Sequence, residues 1–204
     1  MVRKKRELIQ AEVLKALLPR PVEGLIDCLC ATAQKRGQPI YLCGGALRDC
    51  LLGNAPKDID LTLGEGSHAF LQDVQTALGC GTIVLLGARQ DDTCRLVVRG
   101  FDIDVSGFRG GAATIEDDLL QRDFSVNAIA ADLSEVVTAE GPLQIIDPTG
   151  GLQDMADKVL RVCPGAFGDD PLRMLRAYRF SLSLGYRIGR LTREATRTQG
   201  RLIC

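Results

Sequence analysis

Histidine is nearly absent from the sequence, and the cysteines lack the spacing of a structural zinc site. His68 is the single histidine, and Cys28 and Cys30 are separated by only one residue, whereas a structural zinc ion needs four suitably spaced ligands. The eight cysteines are scattered, mostly within apolar runs, and no secretory leader is evident ahead of them. We therefore expect buried thiols in a reducing, cytoplasmic environment rather than a zinc-binding or disulfide-stabilised protein.

Neither sign of charge dominates the composition. The 204 residues include 25 basic and 26 acidic side chains, so the net charge alone does not indicate a polyanionic partner. The distribution is uneven, because the segment 171–204 holds eight arginines and the single acid Glu194, a net charge of +7. A compensating excess of acids therefore lies upstream.

No membrane-spanning or secretory segment is evident. Near the N-terminus, Ile9, Val13, Leu14, Leu17 and Leu18 recur at helical spacing among charged residues, a pattern that predicts an amphipathic helix. With 46% hydrophobic residues, the chain is long enough to bury a core of one domain or one and a half. We expect a globular protein without membrane association.

Apolar periodicity predicts a mixed α/β fold, with strands in the first half and helices in the last third. The predicted strands are Ile40–Cys43, Lys57–Leu63, Thr82–Leu86, Cys94–Val98, Phe101–Val105 and Gln144–Ile146. Beyond the N-terminal helix, the predicted helices are Gly24–Gln34, Ala46–Leu52, Ala69–Leu78, Thr114–Leu120 and Ser125–Ala131. A domain boundary is predicted near Gly150, where the sheet gives way to an arginine-rich helical segment.

Two aspartates, Asp58 and Asp60, occupy positions i and i+2 of one predicted strand. Alternate side chains of a strand point to the same face, so the two carboxylates are close enough to share a divalent cation. Magnesium held in this way would bridge nucleotide phosphates and neutralise a leaving pyrophosphate. A solvated amphipathic strand would show the same pattern. A third carboxylate could come from Asp102 or Asp104, which repeat the spacing on a later strand.

A glycine pair precedes the aspartates. Gly44 and Gly45 would let backbone amides approach a triphosphate, the helix predicted from Ala46 would direct its positive end there, and Arg48 in its first turn would add a cation. A tight turn with a solvated arginine is the alternative. The P-loop and dinucleotide-binding glycine patterns are both absent from the sequence, so those readings have no support.

Four segments carry motifs in a fixed order. They are Gly44–Gly53 with Lys57–Thr62, then Arg122–Ala128, then Asp147–Pro148 with Gly150–Leu152, and finally Asp169–Arg173. Together they resemble the motifs of the bacterial-type CCA-adding enzymes (tRNA nucleotidyltransferases) and of the related bacterial poly(A) polymerases. Four ordered motifs are far more specific than any one of them.

The resemblance implies an α/β (α+β) fold, namely a DNA polymerase β-like nucleotidyltransferase head with a small mixed sheet, followed by a helical neck. It divides the chain into an N-terminal helix (1–22), the head (23–150) and the start of the neck (151–204), without the family's body and tail domains. The implied activity adds CMP, AMP or both from CTP and ATP to an RNA 3′ end, with tRNA as the expected RNA and Mg²⁺ as cofactor. The oligomeric state stays open.

The resemblance also assigns roles to individual residues. Asp58 and Asp60 would be the metal ligands, and Asp104 would be the acid on the later strand that completes the catalytic set. The residues expected to face the triphosphate and ribose are Arg48, Arg122 and Asn127, and Asp123 would face the 2′-hydroxyl. Capping of the following helix is the alternative role for Asp123.

The pair Asp170 and Arg173 would read the base. A carboxylate accepts and a guanidinium donates hydrogen bonds, and cytosine and adenine both offer an amino group beside a ring acceptor. Uracil and guanine place a carbonyl oxygen where that amino group should be. As an alternative, Asp170 and Pro171 also form a good helix start. Arg176 and Arg179 continue the row and would meet phosphates or face solvent.

The sequence departs from the family between Arg109 and Ile115. Only Gly110–Thr114 occupies the place where most CCA-adding relatives have a longer loop, used to switch from adding C to adding A. Complete CCA addition therefore stays open, as do a CC-adding or A-adding specialist and a poly(A) polymerase relative. A nucleotide-binding module without turnover is the alternative from another class. We also expect low intrinsic RNA affinity from a fragment or shortened member.

Overall fold

The computed structural model of the chain describes residues 8–86 and 92–203. Contacts divide these residues into two compact units. The first unit contains the described residues up to Ile115 together with Ala130–Ile146, and the second contains Glu116–Ile129 together with the described residues from Asp147 onward. The chain therefore passes between the units three times. The boundary predicted near Gly150 lies close to the last passage and stays a prediction.

A six-stranded mixed sheet forms the centre of the first unit. The strands of this unit are β1 (Leu8–Gln10), β2 (Ile40–Cys43), β3 (Ile59–Leu63), β4 (Thr82–Leu86), β5 (Thr93–Val98), β6 (Phe101–Gly107), β7 (Ala130–Asp132) and β8 (Pro142–Gln144). The sheet has the order β4-β5-β6-β3-β2-β7, and β1 pairs separately with β8. Strands β3 and β6 run parallel, and the other neighbours in the sheet are antiparallel. A small mixed sheet was the sequence prediction.

Helices bury one face of this sheet. Along the described residues, the first six helices are α1 (Ala11–Leu17), α2 (Leu25–Arg36), α3 (Gly44–Leu51), α4 (Ser67–Leu78), α5 (Ile115–Leu120), which lies mostly in the second unit, and α6 (Leu133–Thr138). Helices α2 and α4 pack against each other, and Leu25, Leu29, Phe70 and Leu71 are at most 1% exposed. Burial of such side chains stabilises the unit by about 1.5–3 kcal/mol each.

The alternation in β3 determines which of its faces carries the acid. Ile59, Leu61 and Leu63 are at most 1% exposed. Because successive side chains of a strand point to opposite faces, Asp60 projects from the face opposite to these three residues.

The prediction of a helix over Ser125–Ala131 is wrong. Ser125–Asn127 forms a 3-10 turn, and Ala130–Asp132 is β7, which pairs with β2. Alanine favours a helix by intrinsic propensity, but Ala130 and Ala131 are fully buried in the sheet, and this tertiary context overrides the propensity.

Several other predicted elements begin or end at residues other than those predicted. The strand predicted over Gln144–Ile146 is displaced to Pro142–Gln144, and Ile146 forms an isolated bridge with Ala130. The strand predicted from Lys57 begins at Ile59 and the helix predicted from Ala46 begins at Gly44. In the predicted N-terminal helix, Ile9 belongs to β1 and α1 begins at Ala11. Residues 1–7 of that prediction lie outside the described residues.

The second unit is mainly helical. Besides most of α5, it contains α7 (Gly151–Ala156), β9 (Val159–Leu160), α8 (Ala166–Asp169), α9 (Arg173–Leu184), β10 (Arg187–Ile188) and α10 (Arg190–Gln199). Its core contains an aromatic cluster, in which the ring of Phe124 meets the rings of Phe167 and Phe180 edge-on at centroid distances of 6.4 and 5.7 Å. Such pairs add about 0.5–1.5 kcal/mol beyond their burial. None of the described helices is long and apolar enough to span a bilayer.

A glycine permits a close backbone approach in this unit. The start of α7 packs on the 3-10 turn Ser125–Asn127, and a Cβ added at Gly151 would lie 2.8 Å from the carbonyl carbon of Ser125 and closer still to its oxygen. Asp147 holds this helix start, since its two carboxylate oxygens accept the amides of Gly150, Gly151 and Leu152 at 2.7–3.0 Å. The third sequence motif therefore allows α7 to pack closely against the turn Ser125–Asn127.

Candidate active site

Three carboxylates meet on the sheet of the first unit. Asp60 of β3 lies beside Asp104 of β6 in the parallel register, and Asp58 precedes β3 by one residue. One carboxylate oxygen from each of the three lies within 4.8 Å of the others, and all three residues are half-buried. A cluster of hard oxygen donors at this spacing can hold a divalent cation such as Mg²⁺ or Mn²⁺.

The electrostatic environment of Asp58 reflects this crowding. Burial raises the pKa of its carboxyl group above the usual value, and the negative charge of Asp104 raises it further. Each cause disfavours the charged form of Asp58. A cation bound between the carboxylates would relieve the repulsion, so the donor set fits a divalent metal.

The glycine pair lies directly against the carboxylates. Gly44, at the first position of α3, has a φ of +63°, a conformation that favours glycine. The amide of Ala46 donates a hydrogen bond to Asp60 Oδ2 at 3.2 Å, and a Cβ added at Gly45 would lie 3.3 Å from the same oxygen. The two glycines therefore form the first turn of the helix itself, and they keep its amide end open beside the acids.

Arg48 lies in the last turn of the eight-residue helix α3, not in its first turn as predicted. Its side chain is 8% exposed and pairs with Asp49 Oδ1 at 2.7 Å, and its Nη2 lies 3.5 Å from where a Cβ on Gly45 would be. Helical side chains lean toward the helix N-terminus. Arg48 therefore reaches back to the glycine turn despite its later position.

Arg95 of β5 was missed by the sequence reasoning. Its Nε and Nη2 donate to the two carboxylate oxygens of Asp104 at 2.6 and 2.8 Å, and its Nη1 pairs with Asp102. The sequence did contain a signal for this contact, because only Arg99 and Gly100 separate the two predicted strands, which is the length of a tight hairpin turn. In the structure, these two residues have φ values of +51° and +78°, as hairpin turns of type I′ require. That turn fixes the register that places Arg95 opposite Asp104.

The second unit brings together three residues of the second sequence motif. Arg122 donates from Nε and Nη2 to Asp118 Oδ2 at 3.2 and 3.1 Å. Asp123 Oδ1 accepts the amide of Phe124 at 2.8 Å and the Nδ2 group of Asn127 at 3.2 Å. The N-cap residue of the following 3-10 turn is Phe124, so Asp123 is not its N-cap. The assigned ligand-facing roles of Arg122, Asp123 and Asn127 stay predictions.

The outer oxygen of Asp123 faces an arginine. Arg176 Nη2 lies 2.7 Å from Asp123 Oδ2, yet this buried oxygen has no aligned hydrogen bond within the described part of the chain. The two groups therefore form an ion pair whose geometry is not that of an aligned hydrogen bond. Arg179 instead lies over the ring of Phe180, with 5.0 Å to the centroid, a cation–π contact.

Asp170 and Arg173, the predicted base-reading pair, both make hydrogen bonds to backbone groups of the second unit. Asp170 Oδ1 accepts the amide of Leu172 at 2.9 Å, and Asp170 Oδ2 lies 3.9 Å from Arg173 Nε. Arg173 Nη1 also donates to the carbonyl oxygens of Gln121 and Ala166 at 3.3 and 3.4 Å. These bonds fix the direction of Arg173. Asp170 thus orders the turn before α9, which begins at Arg173 and not at Pro171, while the base-reading role stays a prediction.

The ion pair between Asp118 and Arg122 supplies a stability prediction. The side chain of Asp118 is 0% exposed and that of Arg122 is 9% exposed, and removal of one partner of a buried pair leaves an uncompensated charge. We expect Asp118→Ala to lower the free energy of unfolding by about 3–5 kcal/mol, measured by urea denaturation.

The matched control for this prediction has the same helical spacing on the surface. Arg190 and Glu194 form an i,i+4 pair with side chains 75% and 50% exposed, so Glu194→Ala should change stability by less than about 1 kcal/mol. Equal losses in the two variants would contradict the importance of burial at Asp118.

A small mixed sheet that presents acidic side chains beside a glycine-rich helix start defines the class of protein as a nucleotidyltransferase head. Residues 40–161 match the poly A polymerase head domain. A CC-adding tRNA nucleotidyltransferase of Geobacter sulfurreducens is 35% identical over 176 residues, which are 86% of this chain and 38% of that protein. An A-adding tRNA nucleotidyltransferase of the same organism is 31% identical over 202 residues, or 93% of this chain and 22% of that protein.

Structural similarity leads to the same family. A CCA-adding enzyme solved with CTP superposes with a TM-score of 0.79 and 28% identity, covering 97% of this chain and 48% of that chain. The chain belongs to the poly A polymerase head-domain family, a nucleotidyltransferase family. The predicted family resemblance and the predicted DNA polymerase β-like head are therefore confirmed. The chain spans less than half the length of each of the three relatives.

Proposed function

We propose that this chain is the catalytic part of a template-independent RNA nucleotidyltransferase that adds CMP or AMP from CTP or ATP to the 3′ end of tRNA. The observation that carries the proposal is the contact between the carboxylates and the glycine-lined start of α3, where Ala46 donates to Asp60. The family membership and the names of the relatives support it. The same reading includes a cytoplasmic location, in line with the absence of disulfide bonds among the described cysteines.

The cofactor in this proposal is Mg²⁺, held by Asp58 and Asp60 with Asp104 as the third acid. The donor set is all oxygen, as Mg²⁺ prefers, and the three groups lie within reach of one ion. When bound, the metal supplies charge neutralisation for the phosphates and for the attacking hydroxyl. The carboxylates of the chain contribute the fixed negative charges that select a cation at this position.

The backbone of α3 would hold the triphosphate. The first amides of the helix carry partial positive charge and have no partner within the helix, and glycine at positions 44 and 45 leaves room for phosphate oxygens. Arg48 lies beside this turn with its guanidinium buried. The RNA 3′-hydroxyl oxygen would attack the α-phosphorus while the bond to the pyrophosphate oxygen breaks, and this chain would contribute positioning and charge.

We assign the ribose and base contacts to residues of the second and fourth sequence motifs. Asp123, with a buried outer oxygen, would accept the ribose 2′-hydroxyl, with Arg122 and Asn127 beside it in the sequence motif. Asp170 and Arg173 would read the shared amino and ring-nitrogen pattern of cytosine and adenine. A wrong base would bury unpaired acceptors, at a cost of about 1–3 kcal/mol each. Arg176 and Arg179 would meet phosphates of the nucleotide or RNA.

The short segment between Arg109 and Ile115 supports a partial reaction. It begins with the 3-10 turn Arg109–Gly111, and only Gly110–Thr114 replaces the longer loop expected for complete CCA addition. We therefore propose that the protein adds C or adds A, and does not switch from one to the other.

The test is incorporation of labelled nucleotide into three tRNA transcripts that end before the CCA sequence, after the first C and after the second C. Each is incubated with Mg²⁺ and one of the four labelled triphosphates. We expect CTP or ATP to be incorporated, UTP and GTP to be rejected, and a chelator of divalent cations to abolish incorporation. Addition of both C and A would contradict the partial reaction, and nucleotide binding without incorporation would indicate a binding module instead of an enzyme.

A further inference from the structure

Arg95 lies in one cross-strand row with two of the site's acids. Asp60 of β3 pairs with Asp104 of β6, and Asp104 pairs in turn with Arg95 of β5. Directly paired positions lie about 5 Å apart on the same face of a sheet. The register alone therefore brings the guanidinium of Arg95 next to the acid that completes the triad.

The contact between Arg95 and Asp104 is bidentate. Two guanidinium nitrogens, Nε and Nη2, each donate to a different oxygen of Asp104, at 2.6 and 2.8 Å. The third nitrogen, Nη1, pairs with Asp102, two residues earlier on the same strand. A planar fork of this kind fixes the orientation of a carboxylate as well as its position, so Asp104 cannot rotate away from Asp60 without breaking two charged hydrogen bonds.

The charges around the triad show why Asp104 needs such a partner. Asp58, Asp60 and Asp104 each place a carboxylate oxygen within 4.8 Å of the others, and like charges at this spacing repel each other. Arg95 lies 30% exposed and Asp104 24% exposed by side chain, so the pair is only partly screened by water. Arg95 keeps its positive charge, because a guanidinium group stays protonated throughout the working pH range of a protein.

We propose that Arg95 is a positioning residue that holds Asp104 in the ligand triad and thereby determines how tightly the site binds a divalent cation. This inference rests on the proposed metal site. It assigns no contact with nucleotide or RNA to Arg95. Partners that orient metal ligands from outside the coordination shell commonly change metal affinity by about 10–100-fold when they are removed.

The test is a titration of the full chain with MnCl₂, followed by the electron paramagnetic resonance signal of free Mn²⁺. We expect Arg95→Gln to weaken Mn²⁺ binding at least about tenfold, as removal of an orienting partner does. Arg95→Lys keeps the charge but cannot form the fork, so it should lower the affinity by a smaller factor. Thermal unfolding without metal is recorded for each variant.

The control removes the same charge from the same hairpin. Arg99 lies exposed in the turn between β5 and β6, and Arg99→Gln should leave Mn²⁺ affinity unchanged. A purely electrostatic role of Arg95 would make Arg95→Gln bind Mn²⁺ more tightly, because a repelling cation is lost, and this result would overturn the proposal. A purely structural role would lower the unfolding temperature but leave the affinity of the folded protein unchanged, which would overturn it as well.

The outcomes also separate this inference from the proposed function. If the unaltered chain binds Mn²⁺ and Asp60→Asn abolishes the binding, the triad is a metal site, and equal affinity in the Arg95 variants overturns only the positioning role. If the unaltered chain binds no Mn²⁺, the proposed metal site and the role of Arg95 fail together. If Arg95→Gln does not fold, the affinity of Arg95→Lys decides, because unchanged binding in that variant overturns the proposal.

Discussion

Replacement of Asp60 with asparagine is expected to slow nucleotide incorporation by on the order of a thousandfold. Asparagine has nearly the same shape, and its side-chain oxygen can still accept the hydrogen bond that Ala46 donates to Asp60, so the fold should be retained. The change removes one negative charge from the triad. Loss of metal-mediated charge stabilisation costs several kcal/mol in the transition state, and about 1.4 kcal/mol corresponds to a tenfold change in rate. The measurement is the initial rate of labelled CMP or AMP transfer to tRNA.

Asp102→Asn is the matched control for this prediction. This substitution also removes one negative charge, on the neighbouring strand β6. Asp102 pairs with Arg95 and lies outside the triad. We expect its rate to fall by less than about tenfold, the lower end of the effect of an indirect partner. A comparable loss in both variants would show that general electrostatics, and not ligation by Asp60, controls the rate.

Gly151→Ala should destabilise the protein by about 3 kcal/mol, the upper part of the usual range for overpacking. A methyl group at this position would overlap the carbonyl of Ser125, and both groups belong to backbone that is held on each side. Asp147 fixes the start of α7, and the amide of Ser125 bonds to the carbonyl of Arg161 at 2.9 Å. Neither segment can withdraw without losing hydrogen bonds. Thermal denaturation should show a midpoint lower by roughly 6–12 °C.

Gly168→Ala serves as the control for the steric argument. Gly168 lies in α8, and a Cβ at this position would have no heavy atom within 4 Å. Alanine also has the higher helix propensity, by up to about 1 kcal/mol, so the variant should be as stable as the original chain or slightly more stable. An unchanged midpoint for Gly151→Ala would mean that the second sequence motif and α7 can separate, contrary to the observed packing.

The sequence predicted the structure correctly where the pattern of apolar and polar residues within a single strand was enough to determine its two faces. The alternation around Asp60 predicted a buried face and an acidic face, and β3 shows both. The sequence did not predict the structure of a segment whose conformation depends on pairing with a strand far away in the chain. Ala130 and Ala131 read as helical but form a strand because β2 offers its edge, and no local pattern contains that information.

Arg95 illustrates a different limit. Its partner Asp104 is nine residues away, and the link between them passes through the conformation of a two-residue turn. Periodicity identified both strands without specifying their register. Once the register is inferred from the turn, the pairing follows directly, so this part of the site was accessible in principle. Arg48 was assigned to the correct glycine turn but to the wrong end of its helix, because the helix begins two residues earlier than predicted.

The interleaved path of the chain has a consequence for dissection of the molecule. The segment Glu116–Ile129 leaves the first unit and contributes Phe124 to the aromatic core of the second. A polypeptide truncated at residue 150 would retain this phenylalanine but lose Phe167 and Phe180, and would expose the ring in the middle of the second sequence motif. We therefore expect the excised head to be insoluble or partly unfolded, so that the smallest piece able to fold by itself must extend at least through α9.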